Sequence, residues 1–243
     1  MIRIEILFPE VANLFGEPFN VKYLKQSLGE ECEVIETALT ETPAFPNGSV
    51  DLVYMGAMNE SSQLLAINAL KPYVEVMKTQ IEAGKVFLFT GNAMEVLGTS
   101  ITFDDKVEHP ALGITPLRSR TDMMHRYNTL FDGNVKTEEG DIRIQGFKTT
   151  FSFSYGENED HYFASSIRGC GINKQSTLEG YRIHNCIATY LVGPLLVLNP
   201  DLALYILKLA GVQAPVLAFE DRARECARIR AEVFAKEGTK YEL

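Results

Sequence analysis

The segment Lys85-Val-Phe-Leu-Phe89 is continuously apolar after its first residue and is bounded by Gly84 and by the turn signal Thr90-Gly91-Asn92. A run of that length, closed at both ends by chain breakers, predicts a strand buried on both faces. Such strands belong to parallel sheets covered by helices. The flanking segments agree. Residues 2–8 alternate apolar and charged up to Pro9, Cys32 to Ile35 reads as a second short strand, and Asp51 to Met55 ends at Gly56 as a buried third. Between them, residues 18–29 carry Pro18 early, Val21, Leu24 and Leu28 at helical spacing, and Gly29 at the end.

From Glu60 the period changes. Leu64, Ile67, Leu70, Val74, Met77 and Ile81 make one apolar stripe of an amphipathic helix. Pro72 falls inside it and predicts a kink, or two helices with Pro72 at the start of the second. Strand, helix and buried strand in alternation give an α/β fold with a mostly parallel central sheet.

Residues 101–190 read mostly as β: Ile114 to Leu117, Met123 to Phe131, Ile142 to Phe147, Phe151 to Tyr155, Tyr162 to Ile167 and Gly180 to His184. Asp132-Gly133 and Glu139-Gly140 are predicted as turns. Two helices are expected near the end, about 201–210 and 220–236, the second with a basic face of Arg222, Arg224, Arg228 and Arg230. With no repeat or linker, residues 1–243 read as a single domain.

Thirty-two acidic against 23 basic residues leave a net charge of −9, which argues against general attraction to nucleic acid or an anionic membrane. No apolar run approaches the roughly 18 residues of a membrane span. The first residues carry no signal-peptide pattern, so a cytoplasmic location is expected. Cys32, Cys170, Cys186 and Cys226 form no CxxC pair and read as reduced thiols; no metal site is expected.

A buried strand turning sharply into a helix at residues 90–95 is a recurrent seat for a nucleophile, with helix N–H groups free to hold an oxyanion. Residue 91, at the centre of that turn, is glycine.

Three segments resemble the class I (triad) glutamine amidotransferases, in the branch of cobyric acid synthase and of the glutaminase subunit of lipid II isoglutaminyl synthase. Phe8 to Gly16 followed by Asn20 is similar to the family's opening stretch. Phe87-Leu-Phe-Thr-Gly-Asn-Ala-Met-Glu-Val-Leu-Gly98 is similar to its nucleophile elbow. Ala188-Thr-Tyr-Leu-Val-Gly-Pro-Leu-Leu196 is similar to the segment that supplies its histidine base. The resemblance implies a three-layer α/β/α sandwich of flavodoxin-like type, no cofactor, and an ATP-dependent amide-forming synthetase as partner, Mur-ligase-like or cobyrinate-synthetase-like; a homo-oligomer is the alternative.

Carried over residue by residue, the nucleophilic cysteine falls on Gly91 and the histidine on Val192. The stretch preceding that histidine becomes Lys148 to Phe151, and the oxyanion loop becomes Gly56-Ala57-Met58. Glutamine hydrolysis needs a thiolate and an imidazole. The expectation is therefore a catalytically degenerate binding or regulatory subunit, with Gly91 and Val192 as vestigial positions. A remaining cleft at Gly56, Asn59, Thr90, Asn92 and Glu95 would take a small amino-acid-like ligand. The alternative is an active amidotransferase with a relocated nucleophile such as Cys186, which stands two residues after His184. His125-Arg126 is weighed as an anion contact against a solvated strand face, and His109 and His161 as loop residues.

Overall fold

The computed structural model describes residues 1–236 and 238–242. The strands are β1 (Ile2–Leu7), β2 (Cys32–Thr37), β3 (Leu52–Met55), β4 (Val86–Thr90), β5 (Ser100–Thr102), β6 (Glu108–Pro110), β7 (Arg118–Thr121), β8 (Tyr127–Val135), β9 (Ile142–Thr150), β10 (Ser152–Tyr155), β11 (Ala164–Arg168), β12 (Leu178–Glu179), β13 (Tyr181–Ile183) and β14 (Cys186–Thr189). The helices are α1 (Pro18–Leu28), α2 (Glu60–Leu70), α3 (Val74–Glu82), α4 (Ala93–Val96), α5 (Leu195–Leu198), α6 (Pro200–Leu209) and α7 (Glu220–Ala235).

The central sheet has the order β13-β14-β4-β3-β1-β2 and is parallel except for β13 at one edge. The run at 86–90 is central and buried at every position, as its composition requires. Successive side chains on a strand point to opposite faces, and here they divide the core in two. Val53, Met55, Phe87 and Phe89 pack with Ile67, Leu70, Met77 and Ile81 of α2 and α3. Leu52, Tyr54, Val86 and Leu88 pack with Val21 and Leu24 of α1 and with residues of α5 and α6. Pro72 sits in a short 3-10 turn, Lys71–Tyr73, between α2 and α3, so the stripe is one surface on two helices. Gly29 and Gly84 end their helices with positive φ, 60° and 80°.

Two four-stranded sheets, β10-β7-β5-β6 and β12-β11-β8-β9, fill the middle of the chain. Several expectations fail there. Ile114 to Leu117 is irregular, because the N–H groups of Ile114 and Thr115 both turn back to the Leu97 carbonyl; the strand begins at Arg118. Met123 to Arg126 is a turn stabilised by Asp122, and β8 starts only at Tyr127. His109 lies in β6 rather than in a loop.

Asp132-Gly133 is not a turn. Both residues lie inside β8, where Asp132 is buried and accepts two hydrogen bonds of 2.6 Å from Arg143 on β9. A Cβ at Gly133 would stand 2.8 Å from the Phe131 ring and would meet the Ser165 carbonyl. The glycine thus permits the close approach of β11, whose pairing with β8 shifts register between Ser166 and Arg168. The turn pair that holds is Glu139-Gly140, with Gly140 at φ 118° between β8 and β9. Gly133→Ala should lower unfolding free energy by about 2 kcal/mol through overpacking, read as a reduced denaturant midpoint with unchanged slope.

Candidate functional site

At the carboxyl end of β4 the chain turns through Gly91, at φ 62°, into α4, a single helical turn rather than a long helix. L side chains are strained at this φ and glycine is not. Space forbids a side chain as well. A Cβ on Gly91 would lie 2.6 Å from the Ala57 Cβ and 2.9 Å from Val192 Cγ1. Val192 is buried and held by a bridge to Phe147 of β9, its N–H donating to the Phe147 carbonyl over 3.1 Å. Residues 91 and 192, a hundred apart in sequence, are therefore packed against each other.

In front of them lies a cleft of about 170 Å³. Leu14, Phe15, Asn59, Asn92, Thr150 and Ser152 are among its walls, and Gly91, Tyr190 and Val192 also line it. Asn92 closes part of it from within. Its Oδ1 accepts from the Met58 N–H at 2.9 Å and its Nδ2 donates to the Met58 carbonyl at 2.8 Å. The Met58 N–H, which an oxyanion loop would aim at a substrate, already has a partner. Asn59 caps α2, its Oδ1 accepting from the Ser62 N–H at 2.9 Å.

Three of the residues expected in the cleft stand behind it. Gly56 is a packing glycine, with room for no Cβ between Glu17 Cβ (2.8 Å) and the Ala12 carbonyl (2.9 Å). Thr90 is fully buried, and its hydroxyl hydrogen-bonds with Glu17 and with the Tyr54 hydroxyl, the latter at 3.0 Å. Glu95 is also buried. It accepts from the Gln63 amide and the Tyr190 hydroxyl, each at 2.9 Å, and from the Ser152 hydroxyl. It braces the cleft walls Ser152 and Tyr190 without reaching the ligand space.

The sequence reading missed Glu17. Its carboxylate accepts from the Gly193 N–H at 2.9 Å, from the Tyr54 hydroxyl at 2.8 Å and from Thr90, so it fastens the turn after Val192 to the elbow. The available signal was a carboxylate directly before Pro18 inside the matched opening stretch. Lys148 is missed too: it is fully buried, bonded to Glu179 and to the Cys170 carbonyl at 2.7 Å, and so structural.

Cys186 is corrected as a nucleophile. It pairs with Phe87 at the amino end of β14, while the elbow adjoins the opposite end, where Thr189 pairs with Thr90. Burial alone pushes its thiol up to about 12, which leaves negligible thiolate at neutral pH. His184 does not share its face. It sits in the turn before β14 at φ 50°, half-exposed, with Nε2 3.2 Å from Glu82. His161 stacks on Tyr181. On α7, Arg228 pairs with Glu225 and Glu232, and Arg224 with Glu220 and Asp201, as a solvated face would.

The chain is 26% identical over 205 residues to the GatD subunit of the glutamine-hydrolyzing lipid II isoglutaminyl synthase of Staphylococcus aureus (strain N315), covering 82% of this chain and 79% of that one. It is 22% identical over 246 residues to the subunit of the same name from Streptococcus pneumoniae (strain ATCC BAA-255 / R6), covering 97% and 92%. The chain resembles the class I glutamine amidotransferases. The fold agrees: a solved glutamine amidotransferase superposes with a TM-score of 0.53 at 16% identity, over 86% of this chain and 99% of that one. A second, from Thermotoga maritima, gives 0.51 at 8% identity over 97% and 99%. No family model matches the chain.

This amidotransferase-like chain carries its two cleft-side carboxylates at a cost. Burial raises the carboxyls of both Glu17 and Glu95 above their ordinary value of 4.5, opposed in each by donated hydrogen bonds. The folded state therefore holds more protons than the unfolded state just above pH 4.5. Their contribution to stability is fully present below that pH and is lost as pH rises through the folded values. Glu95→Gln should flatten this part of the profile, measured by urea unfolding across pH 4 to 8; an unchanged slope would assign it elsewhere.

Proposed function

We propose that this chain is a non-hydrolysing glutamine amidotransferase-like subunit, binding or regulatory in role, that works with an ATP-dependent amide-forming synthetase of Mur-ligase-like or cobyrinate-synthetase-like type. Its curated relatives are subunits of a lipid II isoglutaminyl synthase, which favours the Mur-ligase-like partner and a place in peptidoglycan amidation. Residues 1–243 are read as one domain with the family's three-layer α/β/α arrangement. A core cluster that joins β3 and β4 to Ile101, Leu117 and Ile172 supports this reading.

One observation carries it: at the elbow, the position of the missing cysteine has no room for a Cβ, and the position of the missing histidine is the valine that fills that room. Loss of the two groups alone would leave an empty pocket. Here Ala57, Gly91 and Val192 have closed together. In nucleophile–base systems, removing either group costs on the order of 10⁶ in rate. The small cleft in front, edged by the side-chain polar groups of Asn59, Asn92, Thr150 and Ser152, suits an amino-acid-like ligand.

Purified protein should release no glutamate from glutamine above the uncatalysed background, in an enzyme-coupled glutamate assay; turnover by the wild type would overturn the proposal. Gly91→Cys alone should cost about 3 kcal/mol, because strain and overpacking add. Ala57→Gly/Gly91→Cys/Val192→Ala removes both atoms that a Cβ at 91 would strike and should be more stable than the single variant in thermal melts.

The partner is tested separately. Affinity purification from cells producing the tagged chain should recover an ATP-dependent ligase in stoichiometric amount. Isolation as a self-associated protein alone would favour the homo-oligomer.

A further inference from the structure

A second cavity is larger than the elbow cleft. It has a volume of about 880 Å³ and lies between the β5–β6 region, the turn at 122–126 and the β9–β10 junction. Its walls carry Lys106, Arg120, Arg126 and Lys174. None of the four has an ion-pair partner among the described residues, although this chain has a net charge of −9.

Neither wall carboxylate forms an ion pair with any of the four among the described residues. Asp104 accepts the Met123 N–H at 3.0 Å, and Asp122 accepts from the Met124 N–H and faces His125 Nδ1 at 2.9 Å. Aromatic rings hold two of the cations in place. The Arg126 guanidinium lies 4.5 Å from the Phe151 centroid, and Lys174 Nζ lies 4.7 Å from that of Tyr127. Cations over ring faces are attracted to them yet keep their donors free.

We propose that this cavity binds a small polyanion bearing several phosphate or carboxylate oxygens. Four cations on the walls of one cavity, none with an ion-pair partner among the described residues, match a multiply charged oxyanion rather than a single carboxylate. The volume lies in the range of small-molecule sites, about 300–1,000 Å³. Arg126 and Phe151 also line the elbow cleft, so the two spaces adjoin, but Arg120, Thr121 and Lys174 line only this one.

Isothermal titration with inorganic pyrophosphate and with citrate tests the site, the tighter of the two naming phosphate or carboxylate as the group recognised. Saturable binding that weakens with added chloride, and by at least about tenfold in Arg120→Gln/Lys174→Gln, is the expected result. No saturation by either probe at millimolar concentration, or equal binding by the double variant, overturns it. Both substituted residues lie outside the elbow cleft, so either failure leaves the reading of that cleft standing, and glutamate release by the wild type leaves this one standing.

Discussion

The Glu17 carboxylate receives the Gly193 N–H, the Tyr54 hydroxyl and the Thr90 hydroxyl in the buried space beneath the elbow. Four pieces of chain meet there: the start of α1, β3, the end of β4 and the turn that follows Val192. Asn20 extends the contact, donating to Tyr54 at 3.0 Å and accepting the Leu196 N–H at 2.8 Å. Burying a carboxylate is costly unless its lone pairs are filled, and a partly filled network is worse than an apolar one. The network is fully engaged, and it fixes where Gly91 and Val192 sit. The cleft geometry depends on it more than on any apolar contact.

That scaffold holds a strand-to-helix elbow with no side chain at its turn. The elbow turn, the short helix after it and the opposing Gly-Pro segment are all in place, while Ala57, Gly91 and Val192 occupy the centre. Glycine suits the elbow for two separate reasons, its positive φ and the absence of space. Either would disfavour a side chain, and together they make reversal by one substitution improbable on steric grounds. Glu95, Ser152 and Tyr190 brace one cleft wall through buried hydrogen bonds.

Much of the architecture was legible because it depends on local periodicity. The apolar run at 86–90, the stripe from Leu64 to Ile81 with its break at Pro72, and the glycine ends at 29 and 84 all stand where pattern places them. The middle of the chain was harder. Asp132-Gly133 has the composition of a turn, yet Arg143 across the ladder satisfies the aspartate and the approach of β11 requires the glycine. Those reasons come from strands 10 to 35 residues away. The same holds for Thr90, Gly56 and Glu95, which sequence proximity put in the cleft and whose side chains are consumed by buried partners.

The sequence by itself determined the parallel sheet, its helical cover and the absence of cysteine and histidine at positions 91 and 192, since these follow from nearest-neighbour pattern and residue identity. Only the tertiary structure decided that those two positions touch, that Asn92 occupies the Met58 N–H, that Cys186 lies at the wrong end of its strand, and that unpaired cations gather in one large cavity. Each of these is a distance between residues far apart in the chain, and side-chain identity carries no distance until the sheet order and the buried carboxylate network have set it.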